Sequence, residues 1–378
     1  MVLVRGGRVR RRFGNRWPSP VAVVIGWLCS VVAAGAAMRA GLAGFSRSGK
    51  TTLFNALTGL KRGPEAKLHL GAIKVPDERL DRLSAMFKPR KTTPAEVLLA
   101  DLPGPRSKGV SLEAEALQAL REVDALCLVL RAFEADADPL RDMRDYDSEL
   151  ILSDLQVAEK RLQRLRQERN SGGETQELQR VARHLEGGAS LRTLPMSDAE
   201  EQALAHFGFL SRRPLLVVVN VPESEAAAPL PAGLLEAASA LGAEAIALSA
   251  EVEAEIAELP ADEQPDYLAS LGLTETARAR FLRAVYALLH QISFFTVGED
   301  EVRAWTVRKG DRAVRAAGKI HSDLEKNFVR AEVVHYEDFI AAGSEHRARE
   351  TGKLRLEGKD YVVQDGDILH VRAGGAKR

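Results

Sequence analysis

The sequence predicts an α/β protein: a parallel sheet covered by helices, interrupted by a helical hairpin and followed by a smaller α+β domain. Three observations carry this expectation. Strand-like apolar runs alternate with helical stretches over residues 38–133 and 213–297. Residues 134–212 break that rhythm, being rich in Leu, Arg, Gln and Glu at helical spacing. From residue 298 to 374 the pattern turns to short strands joined by turns. A chain of 378 residues, 45% hydrophobic and 28% charged, has the composition of a globular protein with room for more than one domain.

The first 37 residues stand apart. They hold Arg5, Arg8, Arg10, Arg11, Arg12 and Arg16 and no acid, and from Val21 to Ala37 they are apolar except for Ser30. Taken literally, that is a signal peptide or a membrane anchor. Against it, only Met38–Ala43 separates the apolar run from the glycine that opens the next motif, and that strand needs about five residues. We therefore expect Met38 to be the start and residues 1–37 to be an upstream reading-frame extension. Because the whole chain balances 53 basic against 53 acidic residues, everything after the extension carries a net charge of −6.

After the Met38–Ala43 strand, apolar runs are expected as strands at 95–101, 124–131, 214–220 and 243–249. Asp101, Asn220 and Ser249 close three of them, so polar groups gather at the carboxyl ends, where parallel sheets bind ligands. In the insertion, Ile151, Leu155, Ala158, Leu162 and Leu165 recur at helical spacing beside Lys160, Arg161, Arg164, Arg166 and Arg169. Asn170 to Gly173 breaks this helix and a second follows over 174–185, which predicts an antiparallel hairpin. Its arginines read either as a solvated face or as a nucleic-acid or ribosomal surface. In the last domain, strands are expected at 302–307, 330–335, 359–363 and 368–372, with Asp365-Gly366-Asp367 as a turn. Residues 299–374 hold 14 Lys and Arg against 15 Asp and Glu, so charge does not mark this domain as an RNA binder. Cys29 and Cys127 supply neither a disulfide framework nor metal-ligand spacing.

Residues 44–51 read Gly-Phe-Ser-Arg-Ser-Gly-Lys-Thr, a complete G-x-x-x-x-G-K-[ST] loop between an apolar strand and a helix opening at Thr52. The glycines let backbone N–H groups turn inward around phosphates, and the helix N-terminus adds positive potential. Gly44, Phe45, Ser46, Arg47, Ser48, Gly49, Lys50, Thr51 and Thr52 are thus candidate nucleotide contacts, with Lys50 on the terminal phosphates and Thr51 on Mg²⁺. Asp101-Leu102-Pro103-Gly104 ends the second predicted strand, where a carboxylate faces the metal and a glycine N–H meets the γ-phosphate. Asn220-Val221-Pro222-Glu223 occupies the place where GTPases carry N-K-x-D. With Glu223 for the aspartate and Val221 for the lysine, and an asparagine amide able to pair with adenine N6 and N7, ATP is favoured over GTP. Ser249-Ala250 completes the base side.

In order and context these motifs resemble the YchF or Obg-like ATPase family of translation-factor-related P-loop proteins. The last third carries the likeness further, in Phe294-Phe295-Thr296, Glu301 to Thr306, Ala317 to His321, Phe328 to Val333 and Gly358 to Asp367. The resemblance implies a GTPase-like P-loop domain with a helical insertion, a ubiquitin-like (β-grasp) TGS domain, cytosolic location, ATP hydrolysis with Mg²⁺ and association with ribosomes, and no partnership with membrane or DNA. The chain also departs from the family. Arg47 stands where members have asparagine, residues 62–71 contain no Thr or Ser to act as the switch threonine, and Pro105 stands where other GTPases orient water with glutamine. Hydrolysis is therefore expected to be slow. Arg47 either supplies charge to the phosphates in cis or points into solvent. The alternatives are a nucleotide-dependent binding switch with little turnover, or a GTP-specific GTPase. His321, Glu325 and Lys326 are candidate partner contacts in the last domain.

Overall fold

The computed structural model describes residues 38–61, 69–102, 104, 113–169 and 172–374. The expectations for residues 1–37, Pro103 and Pro105 lie outside the described residues. None of the described helices is long and apolar enough to cross a membrane.

The first sheet is built from β1 (Met38–Ala43), β2 (His69–Lys74), β4 (Glu96–Asp101), β5 (Ala125–Arg131), β6 (Leu215–Asn220) and β7 (Glu244–Leu248), in the order β2-β4-β1-β5-β6-β7. Five strands run parallel, and β2 pairs antiparallel with β4. The sheet is therefore mixed, and β2 is a strand that the apolar runs do not reveal. Every residue of β6 is buried, as expected for a strand covered on both faces. The phosphate-loop helix Lys50–Thr58 and the helix Ala277–Leu288 cover one face with Leu53, Phe54, Leu57, Phe281 and Val285. The helices Ala114–Arg121 and Ala232–Ala240 and the start of the insertion cover the other.

The first insertion helix, Pro139–Gln167, begins well before residue 151. Asp138 caps it, accepting from Arg141 N at 3.0 Å, and Pro139 opens it. Its early turns place Met143, Tyr146 and Leu150 in the core of the nucleotide domain, so the free hairpin starts later than residue 134. Beyond them Ile151, Ala158, Leu162 and Leu165 pack on Leu178, Val181 and Leu185 of the second helix, Gly173–Glu186.

The second sheet is built from β3 (Lys91–Thr93), β8 (Gln291–Thr296), β9 (Glu301–Arg308), β10 (Phe328–His335), β11 (Arg355–Glu357) and β12 (Asp367–Ala373), in the order β11-β10-β12-β8-β9-β3. β8 and β9 form an antiparallel pair, β8 runs parallel to β12, and the helix Ala313–Ile320 packs on one face, a ubiquitin-like arrangement. From the C-terminal half, this sheet starts at Gln291, ahead of the expected boundary at 298, because Phe294 and Phe295 pack into the cores on its two faces. Its far edge, β3 (Lys91–Thr93), is lent by the nucleotide half of the chain and pairs parallel with β9. Arg79 strengthens that junction, bridging Asp77 at 2.9 Å and Asp365 at 2.8 Å. The strand expected at 359–363 is instead a turn: Tyr361 O accepts from Ala313 N at 2.7 Å and Val362 makes an isolated bridge to Arg312. That segment closes the start of the Ala313–Ile320 helix, and the strand falls earlier, at β11.

Candidate functional site

The loop after β1 takes its shape from positive φ at Gly44 (133°), Arg47 (66°) and Gly49 (88°). A side chain at Gly44 would sit 2.5 Å from Val129 O, and one at Gly49 would sit 2.2 Å from Asn220 Nδ2, so both positions exclude a Cβ. The helix behind the loop has no acid in its first turn and no side-chain cap, so its first N–H groups remain available to an anion. Ser46, Arg47 and Thr52 are exposed and Ser48 is buried. Phe45 contributes backbone to the loop, while its ring turns into the core.

Lys50 is buried and donates to Gly44 O and Phe45 O, both at 2.8 Å. Burial lowers its pKa to about 8, with the charge of Asp101 pulling the other way. Thr51 Oγ1 donates to Asp101 Oδ2 at 2.8 Å. Burial raises the Asp101 pKa, opposed by the Thr51 hydrogen bond, by Lys50 and by His69. Gly104 closes this side: a Cβ there would lie 2.1 Å from Gly44 O and 2.9 Å from Lys50 Nζ. The loop, Asp101 and Gly104 are thus brought together as the motifs imply.

The base side differs in detail from the sequence reading. Asn220 is buried, its Nδ2 donates to Ser48 O at 3.2 Å and its Oδ1 accepts from Ala250 N at 3.0 Å. The amide braces two loops, so one of its N–H groups and one of its lone pairs are already engaged by the protein. Ser249 accepts from Val252 N at 3.4 Å as a helix cap. Val221 is buried behind it, its N–H bonded to Leu248 O at 2.9 Å. Glu223 lies exposed in the turn Glu223–Glu225.

Two residues near this site escape the motif search. Phe133 is a large exposed aromatic whose ring lies 3.7 Å from where a Gly49 Cβ would be. It follows the end of β5, so the rule that ligands gather at strand carboxyl ends could have found it. His69 sits opposite Asp101 in the β2–β4 register, on a strand the sequence did not disclose. In the second sheet's domain, His321 Nδ1 accepts from Asp323 N at 3.1 Å and caps the short helix Ser322–Lys326, while Glu325 pairs with Arg315, so these two have structural work.

A Thr hydroxyl and a carboxylate on adjacent elements are hard oxygen donors of the kind Mg²⁺ takes, with phosphate and water supplying the rest. The donor set therefore fits that ion.

Comparison with known proteins agrees with this architecture. Residues 39–161 match the family model of 50S ribosome-binding GTPases, and residues 291–374 match the YchF-GTPase_C model, described as a protein of unknown function (DUF933). The "Ribosome-binding ATPase YchF" of Bacillus subtilis is 38% identical over 364 residues, covering 89% of this chain and 99% of the relative. That of Haemophilus influenzae is 39% identical, covering 88% and 98%. The solved structure of the Schizosaccharomyces pombe YchF GTPase superposes with a TM-score of 0.78 at 29% identity, covering 89% of this chain and 98% of that one. Since likeness on this scale runs through the phosphate loop, the insertion and the second sheet alike, the chain belongs to the YchF family.

Proposed function

We propose that this chain is an Mg²⁺-dependent ATPase that acts on the ribosome. The observation that carries the reading is that Lys50 and Gly104 meet at the Gly44 carbonyl while Thr51 and Asp101 pair beside them, an arrangement suited to a triphosphate. Lys50 is assigned to the β and γ phosphates, and the buried ammonium is short of negative charge until they arrive. The backbone of Gly44 to Thr51, extended by Thr52, cradles the chain of phosphates. Thr51 and Asp101 would hold Mg²⁺, which supplies positive charge to the β and γ oxygens when bound. Gly104 is placed to meet the γ-phosphate through its N–H.

Adenine is favoured on the base side because Val221 and Glu223 replace the lysine and aspartate that guanine recognition uses, and because the bacterial relatives carry ATPase in their names. The Schizosaccharomyces pombe relative is named a GTPase, so ATP and GTP are to be compared on the same chain. Phe133 supplies an aromatic face beside Gly49 for either base. Ribosome association, and with it a cytoplasmic location, comes from the same relatives' names.

Single-turnover hydrolysis of ATP with and without ribosomes tests the proposal. Acceleration by ribosomes is expected, and a rate at the uncatalysed level in both arms would remove the enzyme from it. A second reading, a nucleotide-dependent binding switch, is favoured by the lack of any Thr or Ser in residues 62–71. It predicts ribosome binding that depends on the nucleotide without such turnover.

A further inference from the structure

The insertion touches the phosphate loop directly. Tyr146, on the first insertion helix, is buried; its ring meets Phe45 edge-on, with centroids 5.6 Å apart at 84°. Its hydroxyl faces the Gly44 backbone. The Gly44–Phe45 turn is therefore met from two sides: by Tyr146 against Phe45 and the Gly44 backbone, and by Lys50 and close-packed Gly104 at the Gly44 carbonyl. These groups on the carbonyl side are the ones assigned to the phosphates.

The next residue anchors the same turn of helix elsewhere. Asp147 forms a buried ion pair with Arg192 and accepts from the Ser190 hydroxyl. Arg192 in turn donates to Leu241 O at 3.0 Å and Arg213 O at 3.4 Å. Tyr146 and Asp147 thus fix one turn between the phosphate loop and the segment that closes the insertion. From there the helix continues unbroken to Gln167, roughly 30 Å at 1.5 Å per residue, and its far part exposes Lys160, Arg164 and Arg166. A packed helix answers a push at one turn as a body, because interiors are close-packed and not compliant.

We propose that Tyr146 is a positioning residue that couples occupancy of the phosphate loop to the helical insertion, so that the nucleotide sets the state of the hairpin's basic surface. This rests on the reading that the loop binds a nucleoside triphosphate. When phosphates draw Lys50 and Gly104 inward, the Gly44–Phe45 peptide shifts with them. The Tyr146 hydroxyl and the Phe45 ring transmit that shift to the helix.

The test is amide hydrogen exchange on the full chain, with and without a non-hydrolysable ATP analogue, for wild type, Tyr146→Phe and, as a second variant, Phe45→Leu. In wild type, the analogue is expected to slow exchange both in the loop and in residues 140–155, the latter by about tenfold. In Tyr146→Phe the loop stays protected while the helix responds less than about twofold. The comparison is of the nucleotide-dependent difference, which a merely structural role for Tyr146 would not alter. Helix protection that persists in both variants, or a wild-type helix that ignores the analogue while the loop responds, would overturn the coupling and leave the nucleotide site standing. Absence of loop protection in wild type would remove the site and the coupling together.

Discussion

Thr51 Oγ1 donates to Asp101 Oδ2 at 2.8 Å, closing the distance between the phosphate loop and the end of β4 across 50 positions of sequence. Beside them lies the ammonium of Lys50, whose pKa burial lowers to about 8. Between about pH 8 and the ordinary lysine value of 10.5, the folded chain binds fewer protons here than the unfolded chain. Nucleotide-free stability should therefore gain from this group as pH rises through that window, by an amount of order 3 kcal/mol if no other group compensates. A bound triphosphate favours the charged amine, so binding takes up a proton above pH 8 and weakens as pH climbs further. Calorimetry at pH 8.5 in two buffers of different ionisation heat checks this, and heats that do not depend on the buffer would contradict it.

Gly104→Ala places a methyl 2.1 Å from Gly44 O, a backbone atom that would have to move by about an ångström to clear it. The expected result is a displaced β4 exit and turnover lowered on the order of a hundredfold, with the fold retained. Thermal unfolding together with steady-state hydrolysis distinguishes that outcome from general collapse.

Asn220→Ala removes both halves of the brace between Ser48 O and Ala250 N and leaves buried groups unpaired. A loss of about 1–3 kcal/mol in stability is expected, accompanied by weaker nucleotide binding. Urea unfolding and a nucleotide titration measure the two effects. Binding unchanged alongside the stability loss would show that the brace serves the fold alone.

Arg47 is exposed at the loop apex with φ of 66°, a conformation asparagine adopts more readily than arginine. Arg47→Asn therefore removes the charge without a backbone penalty. If the guanidinium serves the phosphates in cis, turnover falls by tenfold or more, while turnover at the wild-type level assigns Arg47 to solvent.

The phosphate loop was legible in the sequence because its chemistry fixes residue types at fixed spacing, and β5 and β6 were legible because strands buried on both faces must be continuously apolar. β2, with the sequence His-Leu-Gly-Ala-Ile-Lys, has no such signature, since it is an antiparallel strand at the sheet's edge. β3 is three polar residues whose partner, β9, is contributed from the far end of the chain. Lys359 to Val363 holds the strand-favouring Tyr361, Val362 and Val363, yet Tyr361 and Val362 are drawn to the neighbouring helix start instead. Asn220 was found by its motif, but the engagement of its amide depends on Ser48 and Ala250, which only the fold brings near. Tyr146 and Phe133 reach the loop from separate elements; the position of Phe133 just after β5 was a signal, whereas no local pattern announces Tyr146.

An adenine-preferring triphosphate site held by Lys50 is tested most directly by calorimetric titration of ATP and GTP analogues into the same chain in the presence of Mg²⁺. At least about tenfold tighter binding of the ATP analogue, a difference near 1.4 kcal/mol, and loss of binding in Lys50→Ala are expected. Equal affinity for the two analogues, or preference for the GTP analogue, would contradict it.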